Sequence, residues 1–287
     1  MSINLTNNAV ASFDKLVKKA YEGSSMLRGS VRVKTGVVGA THQFPKMGKG
    51  LATRRIPQTD VIPMNIDHTN VVATLEDWNA PEFTDVFDEQ KVNYSERALL
   101  AGTIANAIGR REDQLIIDAL DASGTSNTVA KTIGTLDAMN VDKARKAKSL
   151  LDALAVPSTD RVMVISAIGL EQLLGQTPAI SGDFAAVKAL VNGEINTFLG
   201  FRWITMDTRD AAEGGLPISG TDRTAFAYHK QSMGLAVGKE KMTEVNYIAE
   251  KTSWLANGLF IAGSVAIDAE GIVDITYDEA IVVASAA

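Results

Sequence analysis

The sequence contains no cysteine, which removes disulfides, thiol nucleophiles and thiolate metal sites together. Histidine is almost as scarce. His42, His68 and His229 stand far apart with no ligand triplet near them, so no metal centre is expected. The longest apolar stretch, Trp254 to Ile267, is interrupted by Asn257 and Ser264 and is too short to span a bilayer. The opening Met1-Ser-Ile-Asn-Leu lacks the basic start and apolar core of a secretory signal, so a soluble protein is expected. Phosphate-loop chemistry is missing as well, because Gly238-Lys239 has no glycine five positions before Gly238. Gly124-Thr-Ser-Asn-Thr is half a nucleophile elbow, and Asp207, Asp210 and Glu213 miss the calcium-loop spacing. Nucleophile, base and orienting group nowhere combine, so no catalytic residue and no cofactor is expected.

What is present is a globular composition with an uneven charge. The 287 residues are 46% hydrophobic, enough for one large or two ordinary domains. Residues 1–60 carry ten basic and three acidic side chains, a net +7, and the remainder carries 18 against 31, a net −13. A basic segment on an acidic body suits two partners, nucleic acid or the acidic part of a neighbouring identical chain. An acidic body repels phosphate over most of its surface, which favours the neighbour.

Periodicity divides the chain. Phe13, Leu16, Val17 and Ala20 are spaced three and four apart, predicting a short helix over Val10 to Tyr21 with one sticky stripe. Between Gly29 and Asp77 the period is two. Val31 and Val33 form one expected strand and Ile62, Met64 and Ile66 another, around a basic, glycine-bearing tip. Such a ribbon is marginal alone and needs a partner surface. Asn93 followed by Glu96 starts a helix that runs to Ser123-Gly124, about 40 Å long, with an apolar stripe of Leu100, Ile104, Ile108, Leu115 and Ala119. Asn106, Arg110 and Asp113 fall on its other side. Beyond it the pattern is mixed. Helices are expected at 141–154, 167–175 and 183–192, and strands at 161–166, 202–206, 224–230 and 243–250. Two further strands flank Ala269-Glu-Gly271.

Five strings carry a resemblance: Leu27-Arg-Gly-Ser-Val-Arg-Val-Lys-Thr-Gly, Gln58-Thr-Asp-Val-Ile-Pro-Met-Asn, Glu76-Asp-Trp-Asn-Ala-Pro-Glu, Ala107-Ile-Gly-Arg-Arg-Glu-Asp-Gln and Val191-Asn-Gly-Glu-Ile-Asn-Thr-Phe-Leu-Gly-Phe. Together with the element order, they resemble the major capsid proteins of tailed bacteriophages with the Hong Kong 97-type fold. The resemblance implies an α+β chain with an N-terminal arm (1–28), an extended two-stranded loop (29–75) and a peripheral domain with a spine helix (76–139). An axial domain (140–242) and return strands of the peripheral domain (243–287) would follow. It implies self-assembly into hexamers and pentamers of an icosahedral head around double-stranded DNA, built in the bacterial cytoplasm. Its partners would be a portal, a decoration protein in some heads, and packaged DNA held without sequence preference. With under 30 residues before the loop, a separate scaffolding protein is expected. No membrane partner is implied.

Candidate contacts between subunits follow. They are Phe13, Leu16 and Val17 on the arm, Lys46, Lys49, Arg54 and Arg55 at the loop tip, and Glu82, Asp85 and Asp88 in an acidic segment without a base. On the spine helix, Arg110 and Arg111 with Glu112 and Asp113 read as a salt-laced solvent face, or as a face toward a neighbour. Two rival readings remain at this point: a nanocompartment shell with the same fold and an enzyme cargo, and a soluble α/β enzyme.

Overall fold

The computed structural model describes residues 24–89, 96–134, 136–175, 197–209 and 213–283. The expected arm helix with its stripe and the helix at 183–192 lie outside the described residues. In chain order, β1 (Arg32–Thr35), β2 (Thr41–Met47), β3 (His68–Thr74) and β4 (Glu76–Asp85) precede the short α1 (Val86–Glu89) and the long α2 (Glu96–Asp121). Then come β5 (Thr128–Val129), α3 (Val141–Ala153), β6 (Arg161–Ser166), α4 (Ala167–Leu174), β7 (Thr197–Phe198) and β8 (Phe201–Met206). Five more strands complete the fold: β9 (Ile218–Ser219), β10 (Asp222–His229), β11 (Met233–Ile248), β12 (Ser253–Ala266) and β13 (Ile272–Asp278).

Three sheets result. The first has the order β1-β11-β12-β4, with β1 parallel to β11 and the other pairs antiparallel. Helix α2 lies along it. Ala256, Phe260 and Ala262 on alternate positions of β12 pack with Ile104 and Ile108. Gly258 lets the helix come this close, since a Cβ there would sit 2.4 Å from Ile104 and 2.5 Å from Ile108. The second sheet, β5-β13-β10-β6-β8-β7 with β9 beside β10, has its central strands covered on both faces. Every residue of β6 is buried, as its unbroken apolar run requires. Val162, Val164, Phe226 and Tyr228 join the core under α2, while Met163, Ile165, Ala225 and Tyr277 join a second core under α3 and α4. Asn140 caps α3, its side chain accepting from the Lys143 amide at 2.7 Å.

The third sheet is the hairpin, and it differs from the expected one. Its strands are β2 and β3, in register from Thr41–Thr74 to Met47–His68. The segment with Ile62, Met64 and Ile66 forms no strand, and Ile62 and Met64 are 72% and 56% exposed. Pro63 cannot donate to a ladder, and among the described residues no strand pairs with this segment. Val31 and Val33 do precede or enter a strand, but β1 pairs with β11 in the first sheet instead of with the hairpin. Strand β11 itself is bulged twice. Val237 pairs with Ala262, Lys239 with Ile261 and Met242 with Leu259, so one extra residue enters at each step. Bulges re-aim side chains. Here Glu240 and Lys241 turn toward the base of the arm.

Candidate functional site

The hairpin tip is the most exposed part of the described chain. Leu51, Ile56, Val61, Ile62 and Met64 are all open to solvent beside Arg54 and Arg55. Neither arginine makes an ion pair among the described residues. Lys46 and Lys49, which have no acid within the tip, find partners elsewhere in their own chain. Lys46 reaches Asp268 at 2.8 Å and Lys49 reaches Glu270 at 2.5 Å. These acids lie in the tight turn between β12 and β13, which folds beside the outer end of the β2–β3 ladder. That proximity spans over 200 residues of sequence.

The acidic segment runs along β4, an edge strand paired on one side only. Glu76, Asp77 and Glu82 are exposed. Asp85 is half-buried and accepts from the Phe87 amide at 2.7 Å, opening α1. The Asp88 side chain lies outside the described residues. No ion pair joins the tip arginines to this segment within the chain, among the described residues.

The run Arg110 to Asp113 is where the sequence reading fails most. Glu112 and Asp113 are fully buried, facing neither solvent nor a neighbour. The base of the arm lies across them. Asp113 accepts from the amides of Met26 and Leu27, each at 3.0 Å, and from the Ser25 hydroxyl at 3.2 Å. The Arg209 guanidinium stands 3.6 Å away. Glu112 accepts from Arg28 at 3.1 Å, Lys241 at 2.5 Å and Ser25 at 3.1 Å, and Arg28 also bonds Glu240 at 2.7 Å. Two carboxylates and three cations thus tie together the arm base, the spine helix, the bulge of β11 and the loop after β8. Burial pushes the Asp113 carboxyl upward, opposed by the Leu27 and Met26 amides. Gly109 makes the approach possible, since a Cβ there would lie 3.1 Å from the Ser25 nitrogen. Arg111 stacks over Trp78, 4.3 Å from the ring centroid, and Arg110 is half-buried. The one sequence signal for this seat is a glycine one turn before two acids, and it is weak.

Among the described residues no nucleophile, base and orienting group meet at an accessible site. Ser166 lies 2.5 Å from Glu279 and 2.8 Å from Tyr277, but the serine is 2% exposed and sealed beneath α4. No group of three His, Asp or Glu side chains is placed to hold a metal among the described residues.

A family model described as phage capsid protein matches residues 5–279. The chain belongs to that family. The capsid subunit also shares its fold with solved phage shells. The capsid structure of the cyanophage P-SCSP1u superposes with a TM-score of 0.77 at 19% identity, covering 95% of this chain and 94% of that one. The head structure of the Helicobacter pylori bacteriophage KHP40 gives a TM-score of 0.78 at 10% identity over 97% and 98%. Mycobacterium phage Che8 gives 0.71 at 19% over 94% and 97%. Comparison with curated proteins gives no match. The protein is a structural major capsid protein of a bacteriophage, in the α+β fold that the five strings implied. The enzyme and the nanocompartment readings lose to the family match.

One titrating group of the capsid subunit gives a direct test of the fold. Asp274 on β13 has a buried carboxylate oxygen without a hydrogen-bond partner. Its pKa is pushed up from 3.8 to about 6 by burial first, then by the negative charge of Asp121 at the end of α2. Because the folded value is the higher one, this proton stabilises the fold below about pH 4, and the benefit is lost as pH rises through about 6. Asp274→Asn is expected to stabilise the subunit by about 1–2 kcal/mol at neutral pH, after allowance for solvent screening, and by nothing below pH ~4. Thermal melts at the two pH values check the sign. Equal shifts at both would contradict it.

Proposed function

We propose that the subunit forms hexamers and pentamers of an icosahedral head around double-stranded DNA, and that its hairpin tip is the main contact between neighbours. The observation that carries this reading is the tip itself. Its exposed apolar side chains and two arginines, without an ion pair among the described residues, sit on the irregular segment beyond a two-stranded ribbon. The ribbon's inner face, Phe44 and Ala73, packs on Ala236 and Ile267, whereas the tip is left open. In this reading residues 1–28 form the arm and 29–75 the loop over the neighbour. Residues 76–139 with 243–287 form the peripheral domain, and 140–242 the axial domain. Phe13, Leu16 and Val17 would dock the arm on a neighbour. Lys46 and Lys49 would hold the outer end of the ladder, leaving Arg54 and Arg55 to meet Glu82, Asp85 and Asp88 of the next copy, with Arg110 and Arg111 near that seam. A separate scaffolding protein and a portal would complete assembly in the bacterial cytoplasm. Packaged DNA would touch the inner surface, and a decoration protein could bind outside.

Each exposed pair contributes only about 0.2–1 kcal/mol, but the contact repeats over many copies. Arg54→Glu with Arg55→Glu is expected to leave the far-UV spectrum and melting cooperativity unchanged while blocking or loosening shells. Reversal of Asp85 and Asp88 in the same chain is expected to restore part of the assembly. Electron microscopy and light scattering at low and physiological salt read the result. Normal shells from the doubly reversed tip would sink the tip contact, and a monodisperse monomer from the unaltered chain would sink the shell itself.

A further inference from the structure

A polar cavity of about 330 Å³ opens where the turn before β1 meets the ends of β6, β8 and β10. Its walls include Arg202 of β8, Lys230 just after β10, Arg161 of β6, Asp160 and Ser30. The three cations are not equivalent. Arg161 is 3% exposed and already bonded to the Pro157 and Val156 carbonyls and to Asp152. Arg202 and Lys230 make no ion pair among the described residues, although Asp160 stands in the same wall. Both are held on rigid backbone. Arg202 is paired on one side with Val162 and on the other with Thr197, and the Lys230 amide donates to the Asp160 carbonyl at 3.0 Å. Two uncommitted charges on fixed elements, over a wall of hydroxyl and peptide groups, make a preformed anion site.

The shape selects among anions. The cavity has room for a group the size of a nucleotide and little more. The acids of β4 lie along a flat strand edge, which does not enter a concavity, while Asp60 and Asp67 stand on the hairpin tip, so a second copy is the rival occupant that the test separates. A polynucleotide presents a protruding anion at every residue. We propose that this cavity seats a backbone phosphate of nucleic acid, with Arg202 and Lys230 as its two anion contacts. The proposal relies on the shell reading only for where the nucleic acid comes from.

The test uses the full-length chain and a fluorescently labelled DNA duplex, with anisotropy recorded across a salt series. Arg202→Glu with Lys230→Glu is expected to weaken binding at least about tenfold near 0.1 M salt. The slope of log affinity against log salt should fall by about one, for the single phosphate that the cavity seats. Arg202→Gln with Lys230→Gln, which adds no repulsion, is expected to show the same loss of slope, with an unchanged melting curve confirming the fold. Inorganic phosphate is expected to compete with the duplex better than chloride at equal ionic strength. An unaltered chain that binds no duplex, or variants with unchanged affinity and slope, would overturn the proposal. Variants that lose phosphate binding but keep DNA would reassign the cavity to a free anion. Variants that bind DNA normally but no longer assemble would reassign it to a neighbouring copy. The readout is made on unassembled protein, so a failure of the shell reading leaves it independent.

Discussion

Asp113→Ala is expected to lower the stability of the subunit by about 3–5 kcal/mol, the usual cost of breaking a buried charge pair by removing one partner. The alanine would strand the amides of Met26 and Leu27 and leave Arg209 with only Asp207 as its ion pair. Arg28 and Lys241 would keep Glu112, so the loss falls on the arm-base amides and on Arg209. In a chain of this length the midpoint of thermal unfolding should fall by roughly 10 °C. Asp113→Asn keeps one acceptor and the shape, so its loss should be clearly smaller. Limited proteolysis supplies a second reading, since an unseated arm base should become cleavable near Ser25 well below the melting temperature. An alanine variant that melts with the parent would show that the seat holds nothing together.

Gly263→Ala is expected to cost about 3 kcal/mol or more and to displace the hairpin from the body. A Cβ at this position would lie far inside contact distance of the Thr74 carbonyl, 1.8 Å from its oxygen and 2.7 Å from its carbon. The clash is with backbone at the corner where β3 passes into β4, so no side chain can rotate away to relieve it. Gly258→Ala is the useful comparison. Its obstacles are the flexible ends of Ile104 and Ile108, and repacking should hold the loss nearer 1–2 kcal/mol. Melting curves of the two variants rank the costs, and hydrogen exchange at β3 locates the damage. Equal losses would mean that the corner yields.

The elements that the sequence announced are those whose pattern has one physical cause. Strand β6 is apolar from Val162 to Ile165 because both its faces are covered, and α3 begins after Asn140 because that side chain caps the first turn. The stripe from Ile104 to Ala119 located the face of α2 that meets the sheet. Periodicity says which residues share a face, however, and leaves open what covers the other one. Asp113 lies opposite the stripe, where an acid ordinarily meets water, and the arm base takes the water's place. The same limit misled the hairpin reading. Alternation in Ile62, Met64 and Ile66 is a genuine pattern, but its complement is absent from the chain's own described surface. Of the expected contact residues, Arg54, Arg55 and Glu82 stand exposed, whereas Lys46, Lys49 and Asp85 are engaged within the chain.

The bulge in β11 has a consequence for how the protein is made. Arg28 and its partner Glu240 are 212 residues apart, and Lys241 follows directly. At ribosomal speeds of about 5–20 residues per second, roughly 10–40 s separate the synthesis of the two ends of this contact. Glu112 is translated part-way through that interval, 84 residues after Arg28, but Lys241 only at its end, and until then β1 has no parallel neighbour to join. The arm base and first strand of a nascent chain therefore lack half their anchorage until the ribosome has passed β11. A polypeptide released early by a premature stop codon ahead of Lys241 would carry its basic N-terminal segment without the clasp that orients it. The fold thus reads its own completion, and truncated products reach the assembly pool without the finished arm base of a whole subunit.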